Sequence, residues 1–142
     1  MKAREEQIPE IVPLFTQLWP DNTRKEAEKI LKDYVSSKEK AAFACRIGRE
    51  YVGFALCSVR HDYVEGCDTS PVGYLEGIFV REAYRKQGIA RVLCEECETW
   101  AEKAGCKEFA SDCECNNTAS LEFHSRMGFS EANRIVCFKK RL

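Results

Sequence analysis

The segment Arg85-Lys86-Gln87-Gly88-Ile89-Ala90 follows the apolar run Val72-Gly73-Tyr74-Leu75-Glu76-Gly77-Ile78-Phe79-Val80, and together they decide the fold. The run reads as a central strand, apolar on both faces except at Glu76. The segment after it opens a helical pattern in which Ile89, Leu93, Cys97, Trp100 and Ala104 share one face, with Gly105 as the stop. A strand that delivers a small-residue loop to a helix N-terminus builds an anion site. First-turn N–H groups lack intrahelical acceptors, and the helix dipole adds partial positive charge there. Gly88 lets a phosphate approach the backbone, Ala90 is nearly as small, and Arg85 offers a fork-shaped charged donor at the rim. A phosphate-bearing cofactor is the first expectation.

Working outward, a short strand is expected in the first few residues. Ile8, Ile11, Val12, Phe15 and Trp19 then recur at helical spacing, with Pro20 as a stop. Thr23-Arg24-Lys25-Glu26 reads as a capping box, and Ala27, Ile30, Leu31, Tyr34 and Val35 form one apolar face behind it. Residues 41–47 and 51–60 read as an antiparallel hairpin turning at Gly48-Arg49-Glu50, and 61–71 as a loop excursion. Beyond the central strand and its helix, 107–113 reads as a strand. Asn116 or Asn117 caps a helix through Met127 that Gly128 ends, and 130–141 reads as a last strand. The order β-α-α-β-β-β-α-β-α-β predicts an α+β fold, a mixed sheet with helices packed on it.

The composition is that of a globular chain, 44% hydrophobic and 32% charged over 142 residues. No apolar run is long enough to span a bilayer and no signal-peptide core follows Met1, so a cytoplasmic protein without a membrane partner is expected. A net charge of -1 supplies no basic field for nucleic acid. Nine cysteines, an odd count without a secretion signal, argue against a disulfide framework. Cys94-x-x-Cys97 has no second pair to complete a zinc set, so these thiols read as small core residues and no metal is expected.

The loop Arg85-x-x-Gly88-x-Ala90, the later Asn117-x-x-Ser120-x-x-Phe123 segment before Gly128-Phe129, and the element order together resemble the GNAT family of N-acetyltransferases. The resemblance covers nearly the whole chain and implies a single N-acetyltransferase domain over 1–142. A narrower likeness is to the aminoglycoside 6′-N-acetyltransferases of type I. It is carried by Arg60-His61-Asp62-Tyr63-Val64-Glu65-Gly66, by the 71–80 strand, by Phe109-Ala110-Ser111-Asp112-Cys113 and by Leu18-Trp19-Pro20.

The resemblance implies a GNAT fold in which two parallel strands, here Val72–Val80 and 107–113, splay apart around acetyl-CoA, flanked by about four helices. It implies that the backbone of Ile78, Phe79 and Val80 pairs with the pantetheine arm. The pyrophosphate then rests on Gln87, Gly88, Ile89 and Ala90 beside Arg85, and Asn117 hydrogen-bonds the cofactor or caps its helix. Gly77 is read as the bulge that opens the strand pair.

Glu76 stands out physically, because an unpaired carboxylate in an apolar strand costs several kcal/mol, on the order of a lost buried charge. It must face a polar cavity or a cation. Alternation places it with Tyr74 and Ile78, and Asp112 borders the same cleft. Either the two hold substrate ammonium groups, with one accepting a proton through water, or they form salt bridges with an Arg such as Arg134. Trp19 and Tyr63 are candidate faces for sugar rings. His124 stands where many family members carry a Tyr that protonates the leaving thiolate; it is either that acid or a packing residue. Asn133 lies where related enzymes bring an acid to the substrate.

The implied reaction is direct acetyl transfer from acetyl-CoA to the 6′-amine of an aminoglycoside in a ternary complex, with antibiotic resistance as the outcome and a homodimer as the assembly. Two rivals stay open: a GNAT enzyme acting on a protein amine or polyamine, and a non-catalytic thiol-rich sensor.

Overall fold

The computed structural model describes residues 1–142. Helix α1, Ile8–Leu18, buries Ile8, Ile11, Val12, Leu14 and Phe15 along one stripe. Pro13 lies inside it without ending it, and its carbonyl accepts from the Gln17 side-chain amide at 3.1 Å. Helix α2, Arg24–Ser36, starts at the capping box that its sequence spells. The Thr23 hydroxyl accepts from the Glu26 N–H at 3.1 Å, and the Glu26 carboxylate accepts from the Thr23 N–H at 3.0 Å. Two otherwise orphaned N–H groups are satisfied in this way.

Strands β1 (Lys40–Ile47), β2 (Glu50–Arg60), β3 (Val72–Val80) and β4 (Phe109–Ser111) form one sheet in the order β1-β2-β3-β4. The first two pairings are antiparallel and the last is parallel. Helices α1 and α2 cover one face through Phe15, Leu31, Phe54 and Leu56. Helix α3, Ile89–Lys103, covers the other through Leu75, Leu93, Cys94 and Cys97. Helix α4, Thr118–Arg126, follows β4. Each face is sealed because the strands carry apolar side chains on both sides.

Three expectations need correction. The first residues form only an isolated bridge, Lys2 to Phe43, rather than a strand. The strand expected over 107–113 pairs only at Phe109–Ser111, because β4 turns away from β3 beyond Leu75. The last strand, expected over 130–141, does not form. That segment joins neither edge of the sheet, so its backbone gains no ladder hydrogen bonds, and Ile135, Val136 and Phe138 are 63%, 76% and 92% exposed.

All nine cysteines are free thiols. Cys57, Cys94, Cys97 and Cys106 are buried as core residues, whereas Cys115 and Cys137 are exposed. Burial pushes the Cys94 thiol up to about 12. The neighbouring Cys57, together with burial, pushes Cys97 further up. Both are neutral and unreactive at ordinary pH.

The contact between β3 and α3 depends on the missing side chain of Gly73. A Cβ there would lie 2.5 Å from the Ala101 Cβ and 2.7 Å from Phe109 Cδ2. Gly73→Ala is expected to destabilise the fold by about 1–3 kcal/mol, the usual range for overpacking. A urea midpoint equal to that of the wild type would show that the helix does not press on the strand here.

Candidate active site

The site starts where β3 and β4 part. They pair only at Gly73–Phe109, Tyr74–Ala110 and Leu75–Ser111, so Glu76 to Val80 run on without a strand on that side. At the same level the β2–β3 register slips. Leu56 faces Gly77 and Cys57 faces Leu75, which leaves Glu76 as the extra residue of a bulge. The bulge also corrects the expected alternation. Glu76 and Tyr74 share a face, but Ile78 packs against the α3 core on the other. Gly77 is required to be small: a Cβ there would lie 2.3 Å from Trp19 Cη2. Trp19 therefore lies against the bulge, and its ring centroid is 4.7 Å from that of Phe15. It belongs to the core wall and to the border of the cleft at once.

The anion-binding end is built from backbone. After β3 the chain makes a 3-10 turn at Glu82–Tyr84, and Lys86 and Gly88 then adopt positive φ, +61° and +83°. Two left-handed residues flanking Gln87 curl the backbone into a concavity at the start of α3. Gly88 is the N-cap, and nothing lies within 4 Å of its Cβ position. With no side chain to cap them, the first-turn N–H groups of Ile89, Ala90 and Arg91 have no intrahelical acceptor. This is the geometry that a pyrophosphate needs. Arg85 is tethered there, its Nε donating to the Val80 carbonyl at 2.8 Å. Asn117 caps α4, its Oδ1 accepting from the Ser120 N–H at 3.2 Å, and its amide nitrogen has no partner within the chain. The capping role and a cofactor contact are thus compatible.

The acceptor end is built from side chains. Glu76 is paired with Arg60 and not with Arg134, which bonds Glu131 instead. Arg60 Nε and one terminal nitrogen donate to Glu76 Oε1 at 3.0 and 2.9 Å. The same terminal nitrogen reaches Oε2 at 2.8 Å. The Ser58 hydroxyl, in the one buried polar residue of the chain, donates to Oε1 at 2.6 Å. The Arg60 guanidinium lies 3.4 Å from the centroid of the Tyr74 ring. The Tyr74 hydroxyl donates to Asp112, and burial followed by that bond raises the phenol above its usual range. Glu76 and Asp112, expected at one cleft, are thus joined through Arg60 and Tyr74.

His124 sits on the far side of β4. Its Nδ1–H donates to the Ser120 carbonyl at 2.7 Å, and Nε2 meets the Ser111 hydroxyl at 2.8 Å. Ser111 Oγ is also 3.2 Å from the Leu75 carbonyl, the last paired residue of β3. Both ring nitrogens are therefore engaged at the point of strand divergence. Tyr63 and Asn133 come together elsewhere. The Tyr63 hydroxyl and the Asn133 amide both donate to Glu65 at 2.8 Å, and no hydrogen bond links this trio to Glu76 or Asp112. Glu108 fixes the loop that carries Tyr63, accepting from the Asp68 and Thr69 N–H groups at 2.9 and 2.7 Å.

Sequence reasoning missed Ser58, Arg60 and Ser111. The first two carry a legible signal, polar residues at i and i+2 closing a strand whose preceding residues are apolar. Ser111 carries none, because its role exists only through the α4 packing.

Similarity to known proteins agrees with this geometry. The Acetyltransferase (GNAT) family model matches residues 8–129. The aminoglycoside N(6')-acetyltransferase type 1 of Salmonella typhimurium is 40% identical over 132 residues, covering 90% of this chain and 88% of its own. That of Acinetobacter baumannii is 35% identical over 142 residues, covering 100% and 97%. The solved structure of AAC(6')-Iy with the bisubstrate analogue CoA-S-monomethyl-acetylneamine superposes with a TM-score of 0.96 at 34% identity, covering 100% of this chain and 97% of that one. A match over most of the chain, at these identities, places it: the chain belongs to the GNAT acetyltransferase family and, within it, to the aminoglycoside N(6')-acetyltransferases of type 1.

Proposed function

We propose that this protein, acting as a single N-acetyltransferase domain over 1–142, transfers acetyl from acetyl-CoA to the 6′-amino group of aminoglycosides and so confers resistance to them. The observation that carries this reading is the opposed chemistry at the two ends of the unpaired β3 edge, carboxylates at Glu76 and Asp112 and backbone N–H groups at the start of α3. A polyanionic cofactor and a polycationic acceptor each find the complementary end.

The chemistry follows from placement. Acetyl-CoA supplies the acetyl group as a thioester. Gly88, Gln87, Ile89 and Ala90 hold its pyrophosphate, with Arg85 beside them and Asn117 reaching from α4. The free edge of β3 at Ile78, Phe79 and Val80 pairs with the pantetheine arm. An N–H of that edge polarises the thioester oxygen, which is worth about 3 kcal/mol of transition-state stabilisation. The unprotonated amine attacks the thioester carbonyl directly, forming the C–N bond; the C–S bond then breaks to release CoA as its thiolate, and the amine's proton passes through water to one carboxylate, Glu76 or Asp112. Trp19 and Tyr63 offer aromatic surface to the sugar rings, and Asn133 with Glu65 forms the outer rim. His124 serves chiefly as a positioning residue, since both of its nitrogens already tie α4 to the strand junction.

No buried thiol is a nucleophile, because Cys94 and Cys97 are held neutral. No three His, Cys, Asp or Glu side chains are grouped to hold a metal ion. No helix is long and apolar enough to cross a membrane; we place the enzyme in the cytoplasm, where acetyl-CoA is available.

We also assign a homodimer. The exposed apolar side chains of Ile135, Val136 and Phe138 lie on an unpaired extended arm, the state of a strand that pairs with a second copy.

The deciding experiment is an acceptor screen with acetyl-CoA. Thiol release with kanamycin or tobramycin is expected; turnover only with peptides or spermidine would replace the acceptor assignment. Gly88→Glu should weaken acetyl-CoA binding about a hundredfold, or about 2.8 kcal/mol, with an unchanged circular dichroism spectrum. Undiminished binding by calorimetry would remove the loop from the cofactor site. Light scattering should show a dimer for the full chain and a monomer after deletion of residues 135–142. A monomeric full chain would remove the arm's assigned role.

A further inference from the structure

Resting on the aminoglycoside reading, we propose that Arg60 is a specificity-determining positioning residue that makes Glu76 and Asp112 one ammonium site rather than two. The argument begins with lone pairs. Glu76 Oε1 accepts three hydrogen bonds, from Ser58 Oγ and from two nitrogens of Arg60. Oε2 accepts one, from Arg60. A carboxylate oxygen offers about two acceptor directions, so Oε1 is saturated and only Oε2 can still take a donor. Arg60 thus leaves Glu76 a single open position.

Charge gives the same result. Glu76 and Asp112 bring two negative charges, and Arg60 brings one positive charge between them. The guanidinium is held on both sides, by the bidentate bond to Glu76 and by the Tyr74 ring, whose hydroxyl is in turn bonded to Asp112. The cluster is left with one net negative charge, which balances one ammonium. An acceptor that presents a second ammonium close to the reacting amine meets the fixed guanidinium and is disfavoured by like-charge contact. The Arg60 side chain is 41% exposed and that of Glu76 is 23% exposed, so the pair borders solvent and can be met by an acceptor. Lys cannot replace Arg here without losing the fork and the stacking.

Kanamycin A and kanamycin B test this directly. They carry the same reacting 6′-amine and differ at the 2′ position of the same ring, hydroxyl in the first and amine in the second. In the wild type, kanamycin A should be the better acceptor by kcat/KM. Arg60→Gln should raise the kanamycin B to kanamycin A ratio about tenfold, the effect of about 1.4 kcal/mol of charge contact. The KM for acetyl-CoA should stay within about twofold, since no part of the cluster touches the anion-binding loop. Arg60→Lys keeps the charge but loses the fork and the stacking, so its ratio should fall between those of the wild type and Arg60→Gln; a ratio in Arg60→Lys equal to that of Arg60→Gln would overturn the charge argument. Equal losses for both acceptors in Arg60→Gln, with the ratio unmoved, would reduce Arg60 to a structural ion pair and overturn the inference. A wild type that acetylates neither kanamycin would overturn the acceptor assignment itself, and the inference with it. The first failure is seen only in the ratio and the second only in the parent enzyme, so the two are distinguishable.

Discussion

The five residues of β3 beyond Leu75 have a strand on one side only, and everything functional in this molecule depends on keeping the other side open. A free strand edge invites pairing with whatever is nearby. Here three features hold β4 away. Its pairing stops at Ser111, whose hydroxyl is shared between the Leu75 carbonyl and His124 on α4. The bulge at Glu76 breaks the strand's alternation at that level and increases its local twist. Trp19 fills the space over Gly77, so the bulge cannot collapse. The opening is therefore a packed structure, not a gap left by weak pairing, and it is ready before any ligand arrives.

The same bulge couples architecture to charge. Regular alternation already puts Glu76 on the face of Tyr74, beside Ser58 and Arg60 of β2. The extra residue then turns Gly77 and Phe79, rather than Ile78, onto that face, so Trp19 packs directly behind the carboxylate. A carboxylate that would be intolerable among apolar side chains is satisfied by four donor contacts, and the chain acquires a polar cluster inside a sheet that is otherwise apolar.

Much of this was legible in the sequence, and the parts that were not share one cause. The Thr23 capping box, the bounds of β3 and the helix begun at Gly88 follow from local rules, because their stabilising partners lie within a few residues. Gly77 could be read as a bulge because a glycine inside an apolar strand has few other uses. The Arg partner of Glu76 is not legible in this way. The sequence leaves a salt bridge to an Arg such as Arg134 as one alternative, whereas the partner is Arg60, sixteen residues before Glu76 and brought to it by the β2–β3 register. The C-terminal strand failed for the opposite reason. Residues 130–141 have strand composition, but composition does not choose an edge to pair with, and the segment pairs with none in one copy of the chain.

A cation inside a cation-binding cleft looks like a contradiction until its geometry is considered. Two bare carboxylates near one another repel, and each is free to rotate, so an incoming ammonium would have to order both. Arg60 removes that cost in advance. It screens the repulsion, fixes one carboxylate by a fork, and through the Tyr74 ring and hydroxyl places the other. Affinity for positive charge is lowered, but what remains is directional. The anion end of the cleft works by the same logic with opposite sign, since its donors are main-chain groups fixed by a helix and cannot relax toward the wrong ligand. Both ends trade strength of attraction for a prearranged geometry, which is what a direct transfer between two bound substrates requires.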